Sequence, residues 1–263
     1  LEAHIDQSTL GFDDLHFFAS ELEGMHQKIV LSGVGKGPVD NLKCKNIVAK
    51  FGNESYFNGN MSFKGLPEVY ETFFDISTKD ARLNKADLEY LIGQELPQEV
   101  YQLGNIKYQM KAIGFMRDFV LEGDFATATG NLRTDLNLKF PQDKIESYSG
   151  TASFKDFNLG KLTGNSNLEE VSGKVSVDGS GLTVKTISTK IDADLESILF
   201  NQYNYKNITA HGTVANKLFT GKALVADENL NLDFDGTVDY SKEESIFNFN
   251  ANIKNANLKA LNL

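Results

Sequence analysis

From Leu230 onward, apolar and polar residues alternate with a period of two. Leu230, Leu232, Phe234, Val238 and Tyr240 share one parity, and Asn231, Asp233, Asp235, Thr237 and Asp239 take the other. Successive side chains of a strand point to opposite faces, so the pattern predicts a strand with one apolar and one wet face. The alternation recurs at Phe247, Phe249, Ala251, Ile253; at Val171, Val175, Val177; at Phe119, Leu121, Phe125; at Leu132, Leu136, Leu138, Phe140; at Ile106, Tyr108, Met110; and at Phe57, Met61, Phe63. Turn-formers separate these runs at Phe51-Gly52-Asn53, Asp178-Gly179-Ser180-Gly181, Asn216-Lys217 and Asp227-Glu228-Asn229, spaced as hairpin connections are. The expected architecture is a mostly-β, antiparallel meander of about 18 strands.

Glycines at 59, 123, 150, 173, 212 and 236 fall inside the strands, often on the apolar parity, where they suggest bends or close backbone approach in a curved sheet. One stretch departs from period two. Ala86, Leu88, Leu91 and Ile92 have helical spacing, with Asn84 suited to an N-cap and Gly93 to a stop, which predicts a short helix. Pro97 opens a second brief turn ending before Gly104. The expected organisation is an N-terminal β segment (1–79), a short helical insertion (80–104) and a C-terminal β-groove segment (105–263). Leu136–Phe140 and Leu230–Phe234 echo each other at a fixed offset, as do Phe125 and Phe219, hinting at repeated sheet units.

The 263 residues carry 26 basic and 36 acidic side chains, a net charge of −10. This argues against a nucleic-acid partner, because phosphate binding needs a basic face. The lone Cys44 excludes an intramolecular disulfide and a multi-cysteine zinc site. No apolar run is long enough to span a bilayer as a helix. The start at Leu1, without Met or leader, suggests a piece of a longer chain whose membrane anchor lies elsewhere.

Candidate chemistry is sparse. His4, His16, His26 and His211 have no histidine neighbour at helical spacing and read as solvent-facing. Lys43 and Lys45 flank Cys44 and are expected to lower its thiol pKa, but no histidine lies near it. Asp233-Phe234-Asp235-Gly236 and Asp192/Asp194 resemble fragments of a calcium loop without completing its spacing. A glycosidase pair is defined by distance, not by sequence spacing, and nothing singles out two of the 36 acids. No catalytic residue, metal or cofactor is assigned, and the chain reads as a non-enzyme. What remains is the apolar face itself. It is either the core of a closed β-sandwich, about 10 Å thick, serving as a structural or adhesion module with no ligand, or the lining of an open groove.

The stretches Tyr203-Asn204-Tyr205-Lys206-Asn207-Ile208, Leu218-Phe219-Thr220-Gly221 and Asp227 through Gly236 resemble the TamB family, the AsmA-like inner-membrane subunits of the translocation and assembly module, in the long forms found in Bacteroidetes. Asp118–Thr127, Gly130-Asn131-Leu132, Gly65-Leu66-Pro67 and Ala256–Leu263 extend the likeness. It covers most of residues 30–263, in strand and turn patterns without a catalytic signature. Asn201-Gln202 departs from it where a turn glycine is expected, and Gln202 disfavours a tight type I′ turn. The resemblance implies an internal segment of a bridge-like lipid carrier, an elongated, curled antiparallel sheet (a β-taco) with one or two short helices. It further implies a periplasmic location in an inner-membrane-anchored protein, phospholipid acyl chains as cargo, neighbouring β segments of the same chain as contacts, and an Omp85-type barrel as partner through regions outside this segment. The expected groove lining is Phe119, Leu121, Phe125, Leu136, Leu138, Phe140, Val175, Val177, Leu230, Leu232, Phe234, Phe247 and Phe249.

Overall fold

A computed structural model describes residues 2–15, 26–92, 95–96, 98–242 and 244–263. His16, Gly93 and Pro97 lie outside the described residues. The strands are β1 (Glu2–Gly11), β2 (Lys28–Lys36), β3 (Asn41–Phe51), β4 (Ser55–Lys64), β5 (Phe73–Leu83), β6 (Ile106–Phe115), β7 (Asp118–Thr127), β8 (Gly130–Lys139), β9 (Ser147–Asn158), β10 (Leu168–Ser180), β11 (Ser188–Phe200), β12 (Tyr203–Ala215), β13 (Leu218–Ala226), β14 (Leu230–Asp239) and β15 (Ile246–Ala256). They form one sheet in strict chain order, an antiparallel meander with β1 and β15 at its two edges. Fifteen described strands replace the expected 18 because they are long: β10, β11 and β12 each have 13 residues. The expected turn at Asp178–Ser180 belongs to β10, and the chain reverses after Gly181 instead.

The chain divides into two compact units, Leu1–Ala128 with Asn137–Phe140, and Thr129–Leu136 with Pro141–Leu263. The expected helical insertion falls inside the first. There β5 continues to Leu83, then α2 (Lys85–Ile92) and α3 (Gln98–Gln102) follow. Asn84 caps α2 as expected, its Oδ1 accepting the Ala86 N–H at 2.8 Å. The short helices α1 (Phe12–Leu15) and α4 (Leu159–Thr163) have no periodic signature in the sequence.

Asp87, in the first turn of α2, reaches the β3–β4 turn. Its carboxylate accepts the backbone N–H groups of Asn53, Glu54 and Ser55 at 2.8, 2.9 and 2.8 Å, and the side chain is 3% exposed. Burial pushes the carboxyl pKa up. The hydrogen bonds from Asn53, Glu54 and Ser55 more than offset that and hold it below the ordinary aspartate range. Gly52 (φ +59) makes the approach available, since a Cβ there would lie 2.0 Å from Asp87 Oδ1. Asp227 plays the same part in the second unit. It accepts the Tyr203 hydroxyl at 2.5 Å, the Asn229 N–H at 2.8 Å and the Lys206 N–H at 3.1 Å, fastening the β13–β14 turn to β12.

The β11–β12 connection corrects the sequence expectation. Asn201 and Gln202 both have positive φ (49° and 64°), and Phe200 pairs directly with Tyr203, so the two-residue turn forms without glycine. Asn201 and Asn262 exchange side-chain amide to carbonyl hydrogen bonds at 3.2 Å, and Asn201 N–H donates to Asn167 O at 2.9 Å. These contacts offset the cost, about 1–2 kcal/mol per residue, of left-handed backbone at a non-glycine position. The echo between Leu136–Phe140 and Leu230–Phe234 does not reflect a repeat of strands: Leu136 lies late in β8, whereas Leu230 opens β14.

Candidate functional site

Directly opposed residues in an antiparallel ladder share a face, so the registers trace the apolar surface in cross-strand rows. In the first unit one row runs Leu42, Phe63, Phe74, Gly114, Phe119, and another runs Ala49, Phe57, Ala81, Tyr108, Phe125. In the second unit the rows are Leu195, Ile208, Val225, Leu232, Ile253; then Val175, Ala193, Ala210, Ala223, Phe234, Ala251; then Val177, Ile191, Gly212, Gly221, Gly236, Phe249; then Val214, Phe219, Val238, Phe247. No charged residue interrupts any of these rows. The opposite parity is wet: Asp192 pairs with His211 at 3.0 Å, and Lys222 with Asp235 at 3.5 Å.

The glycines on the apolar parity have a packing cause. A Cβ on Gly221 would lie 2.2 Å from His211 O and 2.6 Å from Gly212 Cα, and one on Gly236 would lie 2.4 Å from Phe249 Cα. The backbones are therefore too close for any side chain. The space is filled instead by neighbouring rings. Phe219 Cε2 lies 2.9 Å from the Cβ position of Gly212, and the Phe219, Phe234 and Phe249 centroids follow each other at 6.2 and 5.0 Å. This is aromatic cover of strand glycines. The first unit repeats it, with Gly114 between Phe74 and Phe119 and their rings 5.7 Å apart. Gly221, absent from the in-strand glycines read from the sequence, belongs to the centre of this row.

The surface remains partly wet. Among the described residues the only large side chains that are fully buried are Phe157 and Leu261, in a chain with 19 phenylalanines. Of the expected lining, Phe119, Leu121, Phe125, Leu138 and Phe140 fall in the first unit, where Phe119 and Phe140 stack at 5.9 Å. Leu136, Val175, Val177, Leu230, Leu232 and Phe234 fall in the second. All of these are half-buried. Phe247 and Phe249 are exposed, at 54% and 45%, because β15 has a neighbour on one side only. Ile191, Leu195, Ile208, Val214 and Val225 complete the rows but are absent from the sequence-based lining.

The Asp192–His211 pair aside, the polar candidates among the described residues lie apart from one another. His4 and His26 sit exposed beside Glu2 (3.7 Å) and Asp13 (2.9 Å). No group of three or more His, Cys, Asp or Glu among the described residues has a geometry to hold a metal ion. Asp233 and Asp235 lie on the wet face of β14 and Asp192 and Asp194 on that of β11, in strands and not in loops. Cys44 is half-buried opposite Met61. Burial pushes its thiol pKa up, the reverse of the lowering expected from Lys43 and Lys45, because its side chain shares the apolar parity and the lysines take the other. No described helix is long and apolar enough to cross a membrane. Compared with protein-family models, curated proteins and solved structures, the chain shows no match.

Proposed function

We propose that the chain is a segment of a TamB-like, bridge-like lipid carrier that passes phospholipid between inner and outer membranes through an apolar β-groove. In this reading it sits in the periplasm as part of an inner-membrane-anchored protein and serves outer-membrane biogenesis and protein assembly. Neighbouring β segments of the same chain continue the groove, and regions outside this segment meet an Omp85-type barrel. The observation that carries the reading is an unclosed antiparallel sheet whose large apolar side chains stay half-buried in uninterrupted cross-strand rows.

The mechanism is partitioning and not catalysis. Each methylene moved from water to the apolar face contributes about 0.8 kcal/mol, so a dozen hold a chain with about 10 kcal/mol. Successive strands offer equivalent rows about 4.8 Å apart, so sliding from row to row exchanges one apolar contact for another. Flat rings over glycines smooth the path. With no charge in the rows, the face takes acyl chains and leaves the head group in water.

The test is native mass spectrometry with lipid extraction on protein expressed in a Gram-negative host. The expected result is co-purifying phospholipid that is lost in Phe234→Asp and Phe249→Asp and retained in Asn231 or Asn248 variants of the wet parity. Folded Phe234→Asp protein carrying as much lipid as the parent would refute the assignment.

A further inference from the structure

We infer that the first unit rests on a phospholipid bilayer through its β4–β5 and β6–β7 turns, with an apolar band on the polar face of the sheet entering the head-group layer. The band lies opposite the apolar rows, so its contact does not depend on what those rows carry.

An antiparallel meander in strict chain order places alternate connections at the same end, so these two turns lie together. At that end the polar parity of the first unit is apolar. Phe73 pairs with Phe115, their rings 5.5 Å apart, and in the next row Ile113 pairs with Val120. Tyr70 and Met116 carry the band onto the turns, where the Arg117 guanidinium lies 3.8 Å over the Tyr70 ring. Tyr70, Met116, Phe115 and Val120 are 50%, 48%, 45% and 37% exposed. The following row is Ser77, Lys111 and Glu122, so the band is about 10 Å deep from Met116 to Ile113 and charge begins beyond it. The same face is polar at its other end, where Asn84 Nδ2 donates to Asn105 Oδ1 at 2.7 Å and Asn105 Nδ2 to Glu54 Oε2 at 2.8 Å. Strands β5, β6 and β7 have neighbours on both sides, so the band is the same whatever extends the sheet past β1 or β15.

Apolar side chains scattered singly over a surface are ordinary, whereas a contiguous group marks a contact. Tyr70, Phe115, Met116 and Val120, at about 200 Å² each and about half exposed, present about 350 Å², less than half of the about 800 Å² a side that a stable protein interface buries. A head-group layer sets no such minimum, and elements lying in it sink about 5–10 Å, the depth of the band. Tyr70 and Arg117 each join an apolar body to a polar end, the side-chain form that sits at that level. The acids of the band are Asp75 and Asp118, and Asp118 holds Lys139 at 3.3 Å. Lys64 and Arg117 stand against Glu68 and Glu71 in the turns. In a chain of net charge −10 this near-neutral end is where a phosphate surface is approached without strong repulsion.

The test is flotation of the protein with vesicles of phosphatidylethanolamine and phosphatidylglycerol, with circular dichroism to confirm folding. The parent is expected to float with the vesicles, and Met116→Asp and Val120→Asp are each expected to weaken binding about tenfold or more. In a Cys44→Ala background, a nitrobenzoxadiazole probe on Met116→Cys is expected to shift to the blue and to be quenched by a spin label carried on the lipid. The same probe on Glu54→Cys is expected to stay in water. A parent that does not float, a Met116→Asp variant that floats like the parent, a probe that enters the bilayer at Glu54→Cys and not at Met116→Cys, or a band covered by another polypeptide would overturn the inference. Flotation is scored apart from lipid extracted with the soluble protein, so failure of the lipid-carrier reading and failure of this one give different results.

Discussion

The Asp87 carboxylate offers the sharpest test of how the first unit is held. Asn removes the charge and turns one acceptor oxygen into an N–H₂ group. If the amide oxygen keeps the two donors now on Oδ2, Glu54 and Ser55, the N–H₂ faces the Asn53 N–H. One charge-assisted bond is then lost and a buried donor left unpaired. Bonds to charged groups contribute about 1.5–3 kcal/mol and an unsatisfied buried group costs about 1–3 kcal/mol, so Asp87→Asn should destabilise by about 3 kcal/mol at neutral pH. Urea unfolding followed by circular dichroism measures this, and hydrogen exchange at the 53–55 amides should show faster opening. The pH dependence carries the sign. The folded pKa lies below the unfolded one, so the stabilisation is complete above the unfolded value of about 3.9 and is lost as pH falls through the folded value. The gap between parent and Asp87→Asn should close in that acidic window. A loss under 0.5 kcal/mol at neutral pH, or a gap that widens on acidification, would refute the reasoning.

Three further outcomes are expected. Gly221→Val forces a side chain against the His211 carbonyl and Gly212 Cα, so it should destabilise by about 1–3 kcal/mol, about 2–10 °C in Tm, whereas Thr220→Val on the wet side should change little. Asp227→Asn should lower stability by a similar amount through its lost N–H and hydroxyl donors. It should also bring the Tyr203 phenol pKa, raised chiefly by its hydrogen bond to Asp227, back toward the ordinary tyrosine value in a spectrophotometric titration. Phe234→Asp should abolish lipid retention under the proposed function, and retention by the folded variant would count against it.

Legibility in the sequence followed regularity of register. β14, β15 and β7 keep one parity along most of their length, so Leu230–Phe234, Phe247–Ile253 and Phe119–Phe125 are readable as strands. β11 is not, because a bulge between Ser172 and Gly173 of β10 leaves Glu196 unpaired, so that Leu195 and Ile198, three apart, point the same way. Register shifts between β1 and β2 and between β5 and β6 blur β1 and β5 likewise. Leu195 and its cross-strand partner Ile208, beside that bulge, were thereby hidden from the lining. Asp87 and Asp227 were invisible for another reason: each acts on backbone groups far away in sequence, and no spacing rule marks a carboxylate that accepts N–H groups.

The in-strand glycines join the two halves of the picture. On sequence grounds they look costly, since each forfeits a side chain on the apolar parity and weakens strand propensity. In the sheet they let Gly212, Gly221 and Gly236 backbones approach so closely that only a ring from an adjacent row fits above them. A leucine in each position would stand upright and invite a second layer to interdigitate, the condition for a closed sandwich. Rings laid across glycines present a lower, smoother surface that recovers much of the apolar burial without a partner sheet. The apolar area that these rows leave half-exposed is what the proposed acyl cargo would cover.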